Sequence, residues 1–410
     1  MLMTLIPLFD RNMTVRAYSV FSQKNSSFSM SMLRGSSEFE GAARVEGLEI
    51  IQQMGIETLS PDTEIFVPLS NLSVFANVEE QCDAPHERIV FLIDNTIPPI
   101  EMYINRLKEL KEKGYKLAIR KLAVAFFEEY REVLRLCDYV LLNNRKIVID
   151  KAKVYFGKLY PNVKLIAGNI DSREIFEELR EKGGYEFYEG IFYRVALSLG
   201  QQEVAPLKVN YIQLLNLVNK ADFDLQEVAD IIGHDIALTV SLLKMVNRMT
   251  INSDISSIRH AAAMLGQKEL KRWINTAVVG ELCADKPNEI TRLSLLRAKF
   301  AENLAAGFDL MMKKEELFLM GLFSVLDAVL DKPISEALNM VTVSSDIRNA
   351  LVDNTGSLAP VYEFLLQYEG ANWPEVSRLM ILKKLELETV SEAYIASLTW
   401  YRALMAEIRR

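Results

Sequence analysis

Histidine, the side chain best suited to moving protons near neutral pH, occurs three times in 410 residues, as His86, His234 and His260. His234 is followed by Asp235. In a metal phosphohydrolase of the HD type such a pair works only with several more histidines and aspartates around the same ions. The helical half of this chain offers one further histidine, so the pair reads as a turn histidine and an aspartate at a helix start, both exposed. His260 stands in RHAAAMLG, where the alanine-rich face points to close packing and a buried, neutral ring. Cys82, Cys137 and Cys283 are far apart and form no CxxC pair. They read as small buried hydrophobes in a reducing compartment. GxSxG elbows, GxxxxGK[ST] loops and glycine-rich phosphate cradles are absent from the sequence. No catalytic, cofactor-binding or metal-ligating residue is therefore expected.

The elements that would position such groups fall into two kinds. TVRAYSVF (14–21), EIFVPLS (64–70), RIVFLID (88–94), YKLAIR (115–120), YVLLNN (139–144), VKLIAGNI (163–170) and YEFYEGIFY (185–193) are β-rich runs. From 64 onward they recur roughly every 24 residues, the length of a βα unit. Amphipathic stretches such as IEMYINRLKELKEKG (100–114) lie between them and end on glycine, as helices do. Seven strands alternating with helices suggest a barrel, with an open doubly wound sheet as the alternative, because periodicity cannot show closure. In a barrel, chemistry sits at the C-terminal strand ends. There the sequence puts Asp94, Arg120–Lys121, Asn143–Asn144 and Gly168–Asn169. Only Asp94 is an anion, and a helix-start or loop role suits it better than metal binding, since hard cations need several oxygen ligands.

Beyond SLGQQEVAP (198–206), a polar stretch with a proline that reads as a linker, the β signal stops. YIQLLNLVNK, DLQEVADIIG, DIALTVSLLKMVNRM, SSIRHAAAMLG and KELKRWINTAVVGEL are successive helices. Asp224 precedes Glu227 at capping-box spacing, so Asp224 should accept a backbone N–H while Glu227 reaches back. The domains expected are 1–197, an α/β unit that is a TIM-like barrel or an open sheet, and 207–410, an all-α bundle.

These segments resemble, in order, an EAL domain followed by an HDOD domain. IPLFDRNMTVRAYSVFSQ is similar to the EAL opening QPIFDRxxxVxxYELLFR. FVPLSN, RIVFLID, GYKLAIRKLA, CDYVLLN, LIAGNIDS and YEFYEGIFY stand where the family carries its later motifs. The resemblance aligns Ser19 with the signature metal-binding glutamate, and Ile6 and Gln23 with the ligand-binding Gln and Arg. Pro68 falls at the metal asparagine, Leu92 at the next metal glutamate, and Arg120 and Lys121 at the paired aspartates. Leu141 replaces the lysine that positions the attacking water, Asn143 the following aspartate, Gly168 the later glutamate and Glu189 the final glutamine. The resemblance thus implies a degenerate barrel that has lost hydrolysis of cyclic di-GMP, with binding of that ligand weakened too. HDIALTVSLLKMVN, ISSIRHAAAMLGQKELKRW, FLMGLFSVLDAVL and QYEGANW resemble HDOD motifs over roughly 205–400. In them Leu242, Leu243 and Val246 share a helical face, and Ala262 and Gly266 would permit close approach.

The resemblance implies a regulatory scaffold acting through protein partners, in pathways such as motility or biofilm formation. The alternatives are a non-hydrolysing receptor for cyclic di-GMP or another anion, and a residual phosphohydrolase. A net charge of −8 favours protein partners over nucleic acid. FLMGLFSVLDAVL could supply an exposed docking patch, though core packing suits most of it better, and a homodimer is possible. No apolar run reaches a membrane span, and the apolar start Met1–Phe9, broken by Asp10 and Arg11, lacks a signal peptide's marks, so a cytoplasmic protein is expected.

Overall fold

The computed structural model describes residues 1–23, 44–60, 63–194, 206–220, 222–249 and 255–408. Eight strands close into a barrel in sequence order. They are β1 (Leu2–Phe9), β2 (Val15–Gln23), β3 (Glu64–Pro68), β4 (Ile89–Ile93), β5 (Lys116–Ile119), β6 (Tyr139–Asn143), β7 (Lys164–Ile170) and β8 (Phe187–Gly190). β1 runs antiparallel to both of its neighbours, β2 and β8, and every other pairing is parallel. Closure excludes the open-sheet alternative. The seven β-rich runs correspond to β2–β8, and β1 is the strand that pattern reading missed. Its eight residues are apolar almost without a break because both of its faces are covered, which leaves no alternation to see.

Period-2 alternation sends one side of each strand into the barrel. Leu8, Ala17, Phe66, Val90, Leu92, Ala118, Tyr139, Leu141, Ile166 and Phe187 meet there as an apolar core. The opposite sides pack under helices such as Glu101–Glu112, Ile149–Leu159 and Arg173–Lys182. Ser172 caps the last of these by accepting from the Ile175 N–H at 3.3 Å, and Gly183 ends it at φ +62°.

The chain divides into two compact units, 1–195 with 366–392, and 196–365 with 393–410. The expected partition at 1–197 and 207–410 is therefore corrected: a late helical segment belongs to the barrel unit. The reason lies on β1, whose Met3 and Leu5 point away from the barrel axis yet are buried. Buried Tyr368 accepts a hydrogen bond from the Met3 N–H at 3.3 Å, Ser391 Oγ donates to the Met1 carbonyl at 2.7 Å, and Arg194 pairs with Glu369 at 3.4 Å. The linker expected at 198–206 lies outside the described residues apart from Pro206, which opens the helix Pro206–Val218.

The second unit is helical among its described residues. Leu238, Leu242 and Val246 form the buried face of the helix Ile236–Met249, spaced four apart. Leu243 is only half-buried, so it does not share that face as expected. Gly266 is not a packing contact either. It adopts φ +71° and breaks the segment Ile258–Leu282, and a Cβ there would touch nothing within 4 Å. The glycine that does permit close approach is Gly321, where a Cβ would lie 2.4 Å from the Arg297 backbone. Phe318–Leu330, the run that offered a docking patch, is core: Leu322 and Phe323 are fully buried, and so are most of its neighbours. No helix among the described residues is long and apolar enough to cross a membrane.

Candidate functional site

Alternation along each strand turns the strand positions aligned with the EAL site to the inside of the barrel, and Arg120 and Lys121 follow the C-terminal end of β5. Ile6 and Ser19 face each other across the β1–β2 pair, and Ser19 is in register with Phe66 of β3. Leu92 and Leu141 lie within the apolar core of the barrel. A Cβ built on Gly168 would meet Leu141 Cδ2 at 2.6 Å, so the leucine occupies the space a longer side chain at 168 would need. Pro68 ends β3, and Asn143 ends β6 with its Oδ1 accepting from the Arg145 N–H at 3.0 Å.

Divalent cations need several oxygen donors converging on one point. Among the aligned positions Glu189 is the one carboxylate, Ser19, Gln23 and Asn143 offer only neutral oxygens, and Arg120 and Lys121 repel cations, so the residues present do not fit a metal centre. Among the described residues no three His, Cys, Asp or Glu side chains gather as a metal would require.

The mouth is still polar. Arg120 follows β5, and its guanidinium carbon lies 4.6 Å from the centroid of the Phe21 ring. Burial pulls the Arg120 pKa down, while Glu189 and Asp94 push it back up. Glu189, near the end of β8, has its pKa raised by burial, with Arg120 opposing. Asp94 accepts from Thr96 N–H and Oγ at 3.0 and 2.7 Å, the loop role expected for it. Lys121, at φ +58°, is exposed and reaches Asp94 at 4.0 Å. Among the described residues Ser19 Oγ and Gln23 Oε1 are buried without hydrogen-bond partners.

At the opposite end a cavity of about 710 Å³ opens among charged residues at the strand starts. Those charges satisfy one another: Lys116 pairs with Glu64, Lys164 with Glu186 at 2.7 Å, and Arg16 with Asp10 at 2.9 Å. Glu64 also accepts from the Tyr139 hydroxyl at 2.8 Å. That end reads as scaffold.

In the helical unit His234 is exposed at the end of the helix Leu225–Gly233. Asp235 stands at a helix start as expected, but it is half-buried and not exposed. One carboxylate oxygen caps the next helix through the Leu238 N–H at 2.9 Å, and the other accepts from the Tyr211 hydroxyl at 2.8 Å. Tyr211 was not legible as a partner, because it lies in a different helix. His260 is exposed, not buried as expected; the alanines that pack are Ala261 and Ala262, on the other face of the turn. Asp224 does cap its helix, through the Gln226 N–H at 2.7 Å, whereas Glu227 is exposed. All three cysteines are buried free thiols, and burial pushes Cys283 up to about 11.

Residues 204–336 match the family model of the HDOD domain, a shorter span than the 205–400 of the sequence resemblance. The chain is 29% identical over 321 residues to the cyclic di-GMP phosphodiesterase CdgJ of Vibrio cholerae serotype O1, across 77% of this chain and 74% of that relative. It is 24% identical over 417 residues to the protein YuxH of Bacillus subtilis strain 168, across 97% of each. Among solved structures, the cAMP-bound EAL enzyme Bd1971 aligns with 46% of this chain and 60% of its own, at 16% identity and a TM-score of 0.35.

Proposed function

We propose that this chain, an EAL-like barrel joined to an HDOD domain, is a signalling scaffold that works by binding and does not hydrolyse cyclic di-GMP. The observation that carries this reading is the filling of the barrel. Leu92 and Leu141 belong to its apolar core, and Leu141 takes the space above Gly168. Arg120 adds a positive charge where cations would have to bind. Kinship with CdgJ supplies the context, cyclic di-GMP signalling, and that relative's own phosphodiesterase activity makes the loss of donors here the point to test. The HDOD domain supplies helical surface for protein partners, with Asp235 serving as a cap and not as a ligand.

Titration with Mn²⁺, followed by electron paramagnetic resonance, tests the reading. The free-ion signal should persist undiminished at equimolar protein in the tens of micromolar. A stoichiometric bound ion that is lost in Glu189→Ala would overturn it.

One observation favours a second reading, a receptor without hydrolysis. The Arg120 guanidinium stacks on Phe21 and makes no ion pair or hydrogen bond to any described residue, so its donors are open to an anionic group.

A further inference from the structure

Three side chains at the barrel mouth are fixed relative to one another by β2. Ala17 points into the barrel core, so alternation sends Ser19, Phe21 and Gln23 to the same side. Arg120 lies over the middle one of these three, 4.6 Å from its ring centroid. A guanidinium therefore sits above a phenyl ring that is flanked along its own strand by two buried polar groups, Ser19 Oγ and Gln23 Oε1. Neither has a hydrogen-bond partner among the described residues.

Buried polar groups are nearly always paired, and a partly desolvated charge without a partner is costly. Three such groups around one ring call for a ligand. Arg120 and Glu189 influence each other electrostatically, yet among the described residues neither forms an ion pair. Opposite charges are thus held at the same mouth without touching.

We propose that the mouth binds a small α-amino acid as its zwitterion, without metal. This rests on the receptor reading above and is independent of whether the protein hydrolyses a dinucleotide. The face of the Arg120 guanidinium is used on Phe21, which leaves its edge as a planar fork of N–H donors matched to a carboxylate. Glu189 and Gln23 Oε1 offer acceptors, and Ser19 Oγ can serve as one. An ammonium group has three donors to give them. Arg120, Lys121, Asp94 and Glu189 carry formal charges that cancel, so a neutral zwitterion suits the mouth better than a polyanion. Leu92 and Leu141 close the interior beneath, which limits the ligand to a small one.

Calorimetry and thermal shift on the full chain test the proposal. The probes are the individual α-amino acids at millimolar concentration, each paired with its deaminated carboxylate and its amide, with orthophosphate and cyclic di-GMP as further arms. The expected result is saturable binding of at least one amino acid, at least tenfold tighter than either half-ligand. Arg120→Gln should weaken it at least tenfold, and Glu189→Gln should abolish the preference over the deaminated carboxylate. Gln23→Leu, which removes an orphaned acceptor without touching a charge, should weaken it as well and guards against a folding defect in the other variants. The proposal falls if no amino acid binds, if the half-ligands bind equally well, if the variants leave binding unchanged, or if only orthophosphate or cyclic di-GMP binds.

Discussion

At the scale of single residues, the pair Leu141 and Gly168 says most about what the barrel can do. Gly168→Ala pushes a methyl group against Leu141 and should cost about 1–2 kcal/mol, within the usual range for overpacking. Leu141→Ala should cost about 2–5 kcal/mol alone. The double variant should be clearly less destabilised than the sum, because each change relieves the other; urea denaturation of the three variants measures this. Strict additivity would mean that Leu141 does not fill that space. The pair His234–Asp235 gives an asymmetric result. Asp235→Ala removes a cap and the partner of Tyr211 and should cost about 1–2 kcal/mol, while exposed His234→Ala should stay within about 0.5 kcal/mol. Equal effects in thermal melts would refute the capping role.

Charge at this scale also predicts a pH response. Glu302 is buried; burial pushes its carboxyl up, but Lys299 at 2.7 Å and Arg272, bidentate at 3.0 Å, outweigh that and hold it below 4.5. A depressed folded pKa means stability that is present above the unfolded value and lost as pH falls through the folded one. Glu302→Gln should therefore be less stable than the parent by about 2 kcal/mol at neutral pH. The two stability curves should converge in acid as the parent's carboxylate protonates. A constant gap down to the acid transition would contradict the assignment.

At the scale of elements, β2–β8 were legible because each announces itself by β-rich composition, and β3–β8 also by the spacing of a βα unit. β1 was not, since a strand covered on both faces shows no alternation. The segment 366–392 could not be placed by pattern either. Its role depends on Tyr368 and Ser391 meeting residues more than 360 positions away, and periodicity holds no such information. Most of the mouth was legible in residue identity, from Ser19 to Glu189, but not in its consequences. That Leu141 overhangs Gly168, or that Arg120 stacks on Phe21, follows from packing alone. The grouping of 366–392 with the barrel predicts that Tyr368→Ala in the full chain raises hydrogen exchange at β1 amides at least tenfold. Ala262 and Leu270, in the other unit, should keep their protection. Unchanged exchange at β1 would show that the segment does not hold the strand.

At the scale of the whole molecule, a barrel with an apolar interior is followed by a helical unit whose residues 204–336 match the HDOD model, and the proposed function is recognition, not hydrolysis. In the proposed reading, the leucines at 92 and 141 and the arginine stacked at 120 stand where donors would have to be, and both oppose cation-assisted hydrolysis. The most direct test is a single-turnover assay with the full chain in excess over cyclic di-GMP, in the presence of Mn²⁺ or Mg²⁺. The dinucleotide should be recovered intact for as long as the protein stays folded. Linear product that forms with the metal, disappears with EDTA and is reduced in Glu189→Ala would contradict the account.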